Sequence, residues 1–278
     1  MGIKLESDPT VKGALTEPGN NSFAASAEHV IGKLSVLWDQ QSHTDRSAAK
    51  PSGTSNSVDQ LSLDAARELM PFPVIEPDSY KEIFKIRNVG EIPKLPESLT
   101  AELLNSPCPF SSNGERIMDT HSLVFIPESL DGKPFTTSLL RALSNGADED
   151  LRLRKTFVEN VGFPQPFDET TLGKGSWALI YHAALPGSTE RTPEDQLKEL
   201  EKHPQYKTAA IQEITALFAM TKFTSGIDLL SNSALRCTDG AGSTRDLVGV
   251  ARFGSGGLAY LHSDNESPLV GLAVARRL

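Results

Sequence analysis

At 278 residues the chain can bury a core without disulfide or metal support, so stability alone demands no cofactor and none is expected. A net charge of -9 and a pI of about 5.2 argue against a nucleic-acid partner, because phosphate binding needs clustered Lys and Arg and basic pairs such as Arg276-Arg277 fall short of a patch. The first residues lack a basic segment followed by an apolar run, and no stretch approaches the roughly 18 apolar residues that span a bilayer, so neither a Sec-type signal nor a membrane span is expected.

Residues 1–58 are rich in Ser, Thr, Gly, Asn, Asp and Ala and read as a flexible N-terminal arm, with too few large apolar side chains to offset the entropy of ordering. Within it Val30, Ile31, Leu34, Leu37 and Trp38 recur at helical spacing, which predicts a short helix over 30–38. That helix either docks on the main domain or serves as a partner-docking element. Residues 59–96 form a connector punctuated by Pro71, Pro73, Pro77, Pro93 and Pro96, with helices expected over 62–69 and 79–87. A globular domain is expected over 97–278.

In that domain Pro96 to Leu104 predicts a short helix that ends before Pro107. His121 to Ile126 is an apolar run without alternation, as in a central strand covered on both faces. Thr136 or Thr137 caps a helix over 138–144 that stops at Asn145-Gly146, and a second helix is expected over 148–160. Ser176 to His182 is the next strand. Thr192-Pro193-Glu194-Asp195 starts a helix that runs to about His203, with Thr192 as cap and acids in the first turn. A further helix over 207–224 places Ile211, Ile214, Leu217, Phe218 and Phe223 on one core-facing side and ends at Gly226. Extended segments over 247–253, 257–262 and 269–275, separated by Gly254-Ser255-Gly256 and by Ser263 to Pro268, predict a three-stranded antiparallel meander at the C-terminus. The fold class is therefore α+β, with a mixed or antiparallel sheet and flanking helices.

Motifs that carry chemistry are weak. Gly254-Ser255-Gly256-Gly257 offers bare backbone donors, yet a strand follows it where a phosphate loop needs a helix, so a structural turn is expected. Ser255, His262 and Asp264 have the residue types of a hydrolase triad but lie on one hairpin, outside any G-x-S-x-G elbow. His121, His182 and His262 each end a predicted strand, where sites are often built. No His-x-x-x-His or Cys-x-x-Cys spacing supports a metal, and none is expected. Cys108 and Cys237 read as reduced thiols, with a single bridge as the alternative.

Asn105-Ser106-Pro107-Cys108-Pro109-Phe110, Thr120 to Pro127, Ser176-Trp177-Ala178-Leu179-Ile180, Phe253 to Leu258 and Gly271 to Leu278 together resemble a family of uncharacterised proteins from chlamydia-like bacteria that live inside amoebae, over roughly residues 97 to 278. The resemblance implies relatives rather than an activity. A second likeness lies in the order of a helix over 207–224, Arg236-Cys237, a Gly-bearing strand and a final Gly-x-x-x-x-Arg strand, which resembles the end of the C-type-lectin-like fold of formylglycine-generating enzymes. The paired catalytic cysteines of those enzymes have no counterpart, since only Cys237 lies in the region. That likeness implies a binding scaffold with variable loops, and puts ligand contacts at Ser255, Tyr260, His262, Asp264 and Asn265. The expected function is a binding or host-interaction protein of an intracellular bacterium, a candidate secreted effector that takes a protein partner or small ligand. It is then cytoplasmic, or delivered into a host cell without a Sec signal. The alternative is an enzyme with a His-lined pocket at the strand ends.

Overall fold

The computed structural model describes residues 60–146, 169–227, 229, 234–238, 247–253, 257–262 and 270–278, with 145–146, 247–249, 251–253 and 257–262 as backbone alone. The expected arm over 1–58, its helix at 30–38 and the helix at 148–160 lie outside the described residues. In chain order the elements are α1 (Leu63–Leu69), α2 (Pro77–Phe84), α3 (Ala101–Asn105), α4 (Ile117–Thr120), β1 (His121–Ile126), β2 (Ser129–Leu130), β3 (Lys133–Pro134), α5 (Thr137–Gly146), β4 (Ser176–Tyr181), α6 (Pro193–Glu201), β5 (Tyr206–Thr208), α7 (Ile211–Ser225), β6 (Ala234–Thr238), β7 (Leu247–Phe253), β8 (Gly257–His262), β9 (Val270–Leu272) and β10 (Val274–Arg276). The architecture is α+β, with largely antiparallel sheets.

Helix starts follow local chemistry. Ser62, Thr100, Thr136 and Thr192 each accept a backbone N–H three residues on, at 3.0–3.2 Å, satisfying a donor that the first turn leaves open. Pro77 and Pro193 occupy first helical positions, where a missing N–H costs nothing. Pro77 therefore starts α2 two residues before the expected Ser79, and Lys85 ends it in the left-handed region.

Two four-stranded sheets organise the chain, in the orders β1-β4-β10-β5 and β8-β7-β6-β9. The first is antiparallel throughout; in the second, β6 and β9 run parallel. α7 packs against both sheets. It is buried on every side from Ile211 to Thr221, Gln212, Glu213 and Thr215 included. The expectation of one core-facing stripe is thus corrected: a helix enclosed between two sheets has no solvent face. Its start is corrected as well. Residues 206–208 form β5 against β10, and Ala209 N–H donates to Ala273 O at 3.0 Å, which holds the chain extended until Ile211. Gly226, at φ 73°, closes the helix as expected.

The predicted three-stranded meander is also corrected. β7 and β8 do form an antiparallel hairpin, but β7's other neighbour is β6. The last apolar segment divides at Ala273, with β9 in the second sheet beside β6 and β10 in the first between β4 and β5. Ala273 N–H donates to Arg236 O at 2.9 Å, so this one residue joins the two sheets. Apolarity marks such a segment as buried but carries no information on which distant strand it pairs with.

β1 is buried along its whole length, yet it ends its sheet rather than occupying the centre. Its outer edge is closed by Ile75, whose N–H donates to Leu123 O at 2.9 Å and whose carbonyl accepts from Phe125 N–H at 2.7 Å. Ile75, Tyr80, Phe84 and Val89 enter the same core as β1 and α7, and the buried Tyr80 hydroxyl donates to Phe125 O at 2.8 Å.

Candidate functional site

The register of β1 with β4 decides what the expected histidines can do. His121 lies opposite Tyr181, and alternation sends His121 and Ser122 to opposite faces of the sheet. On one face His121 Nδ1 meets Thr120 Oγ1 at 2.9 Å and its Nε2 meets the Tyr206 hydroxyl at 3.1 Å, with Phe110 stacked over the ring. Burial, with smaller contributions from His182 and Arg276, pushes His121 down to about 3. On the other face His182 Nε2 meets Ser122 Oγ at 2.8 Å, while Phe72 packs edge-on at 4.2 Å. Burial pushes His182 down to about 4. Both rings are therefore neutral near pH 7, and each is anchored in its own hydrogen-bonded setting.

Of the residues expected to contact a ligand, Ser255, Asp264 and Asn265 lie outside the described residues. Tyr260 and His262 stand on β8 opposite Val250 and Val248. Cys108 and Cys237 are both buried and free, and burial pushes the Cys237 thiol well above its ordinary value. Among the described residues no group of three or more His, Cys, Asp or Glu side chains is placed to hold a metal ion. No helix among them is long and apolar enough to cross a membrane.

A different set of residues surrounds a cavity at the end of the first sheet, which has a volume of about 430 Å³, within the size range of small-molecule sites. It is lined by the segment carrying Pro93, Lys94 and Pro96, by Gly175 and the start of β4 from Ser176 to Ala178, and by Lys207, Arg276, Arg277 and Leu278. Gly175 sets the spacing of that segment and β4. A Cβ there would meet Glu91 O at 2.6 Å, closer than carbon and oxygen approach, so glycine lets the segment lie directly on β4. Trp177 Nε1 donates to Pro93 O at 3.0 Å and ties the two together, while its ring leans on Phe125 at 5.4 Å.

Four cationic side chains and one carboxylate side chain line this cleft. The carboxylate is fully engaged: Glu213 Oε1 accepts from Lys207 Nζ at 2.7 Å and Oε2 from Ala210 N–H at 2.8 Å. Arg276 lies 5.5 Å from the Tyr206 ring centroid, a cation–π distance, and Arg277 Nε donates to Tyr206 O at 3.2 Å. Among the described residues Lys94, Arg276 and Arg277 have no carboxylate partner. The sequence hides this group because its members are dispersed over some 180 positions and because Lys207 lies inside the expected helix. The Arg276-Arg277 pair was its one visible trace.

No family model, curated protein or solved structure matches this chain.

Proposed function

We propose that the protein is a binding protein that takes an anionic group in the cleft between the Pro93–Pro96 segment and β4. The observation that carries this reading is the set of cations without a carboxylate partner among the described residues, Lys94, Arg276 and Arg277, around a cavity of about 430 Å³ in a chain of net charge -9. Like charges gathered in a concave, partly apolar site repel one another and raise the local potential, and an anion relieves both. The test is a thermal-shift titration of the full chain with inorganic phosphate at constant ionic strength. Phosphate raises the melting temperature of the native chain, and the double variant Lys94→Gln/Arg277→Gln loses that rise. An equal rise in the variant removes the reading.

The likeness to proteins of chlamydia-like bacteria extends this proposal to a host-interaction role, and a translocation reporter fused to residues 1 to 50 tests it, with retention in the bacterium counting against it. The C-type-lectin-like reading adds a second contact surface at Ser255, Tyr260, His262, Asp264 and Asn265. Alanine at Tyr260 and His262 should then weaken partner capture without moving the phosphate response. An enzymatic reading is favoured by one observation, the 2.8 Å contact of Ser122 Oγ with the neutral His182, the pairing of nucleophile and base. Ser122 is fully buried, and a serine-directed phosphonate that leaves it unmodified would end that reading.

A further inference from the structure

The cleft joins its cations to an unusually stiff apolar wall, and that combination narrows the ligand. Pro93 and Pro96 have no side-chain rotors to order, and Trp177 is held at both ends, by its Nε1 bond to Pro93 O and by its ring contact with Phe125. A site whose lining is already fixed loses little entropy when a ligand enters, and an indole in that lining rewards a conjugated ring more than a flexible chain. The cations approach from separate elements: Lys94 from the segment, Arg276 and Arg277 from the end of β10. Donors spread in this way suit a tetrahedral anion, which offers oxygens in several directions, better than a planar carboxylate, which is best met by one guanidinium fork. The cavity is also far larger than a single tetrahedral anion, so phosphate alone leaves the apolar wall uncovered.

We infer that the cleft binds an organic phosphate that carries a flat ring, the chemistry of a nucleoside monophosphate, with the phosphate among Lys94, Arg276 and Arg277 and the ring against Trp177. This rests on the anion-binding reading above and adds the class of ligand.

The experiment uses the full chain with Trp38→Phe, so that Trp177 is the sole indole, and follows its emission during titration with five probes: adenosine 5′-monophosphate, inorganic phosphate, glycerol 3-phosphate, adenosine and benzoate. The monophosphate binds about tenfold or more tightly than inorganic phosphate, the gain that stacking one base on an aromatic ring supplies, and quenches Trp177. Glycerol 3-phosphate matches inorganic phosphate, and adenosine without its phosphate binds at least tenfold more weakly than the monophosphate. Lys94→Gln/Arg277→Gln weakens both phosphates by the same factor, leaving the ratio between them intact. If the monophosphate binds no better than inorganic phosphate, or leaves the emission unchanged, the ring site is wrong while anion binding stands. If benzoate equals the monophosphate, the preference for a tetrahedral anion is wrong. If no probe binds, both readings fall together.

Discussion

Replacing Gln196 by Ala probes the polar joint between α6 and the second sheet. Gln196 and Arg236 are both fully buried, and Gln196 uses its whole amide: Oε1 accepts from Arg236 Nη1 at 2.6 Å, and Nε2 donates to Ser188 O at 2.6 Å and to Val270 O at 2.9 Å. The substitution deletes one charge-assisted hydrogen bond, about 1.5–3 kcal/mol, and two neutral ones at about 0.5–1.5 kcal/mol each. The loss comes to about 4 kcal/mol and falls on groups with no access to bulk water. At about 2–4 °C per kcal/mol for a domain of this size, the melting temperature drops by about 8–16 °C. Urea unfolding followed by far-ultraviolet circular dichroism measures it, with an unchanged m-value as the check on two-state behaviour. Arg236→Met combined with Gln196→Met should cost less than the sum of the two single changes, by about 1 kcal/mol or more, because removing both partners leaves no buried cation short of an acceptor. A loss under about 1.5 kcal/mol for Gln196→Ala, or strict additivity in the double variant, would refute the idea that this joint is a coupled unit.

Gly271→Ala places a Cβ 2.3 Å from the Ala184 Cβ and 3.0 Å from Ser188 Oγ, so β9 must move and stability falls by about 1–3 kcal/mol, measured by the same unfolding curves. His121 and His182 are held down to about 3 and about 4 by burial, whereas in the unfolded chain they titrate near 6.5. Below pH 6.5 the unfolded state therefore binds protons that the folded state refuses. Stability from these two groups is intact above that pH and declines as pH falls toward 4, by at most about 1.4 kcal/mol per pH unit for each, with His182 below that ceiling because the residue is only partly buried. His182→Gln should flatten the decline between pH 6.5 and 4.5, and an unchanged slope would exclude His182 as a source. Cys108 and Cys237 are buried, so an aromatic disulfide reagent should label neither at neutral pH until denaturant is added, and both thereafter; rapid labelling of the native chain would contradict their placement.

Much of the local structure was legible because its causes are local. Thr192-Pro193-Glu194-Asp195 starts a helix wherever it stands, since the cap, the fixed φ and the first-turn acids act within four residues. The same holds for Ser62, Thr136 and Gly226. The expectations that failed depended on partners far along the chain. Residues 207 and 208 read as helix because the apolar spacing that follows them is helical, but their hydrogen bonds go to β10, nearly seventy positions away. The cleft was hidden for the same reason. Lys94, Trp177, Lys207 and Arg277 show no common spacing, and each taken singly reads as an ordinary surface charge or core aromatic.

The sequence by itself determined the α+β class and the positions of most helices and strands. Only the tertiary structure decided that the last apolar segment would divide at Ala273 between two sheets, that α7 would lie enclosed between them, and that four dispersed cations would line one cavity beside Trp177. The physical reason is range: caps, turns and periodicity act over a few residues, whereas strand pairing and the convergence of charges depend on which distant backbones finally meet.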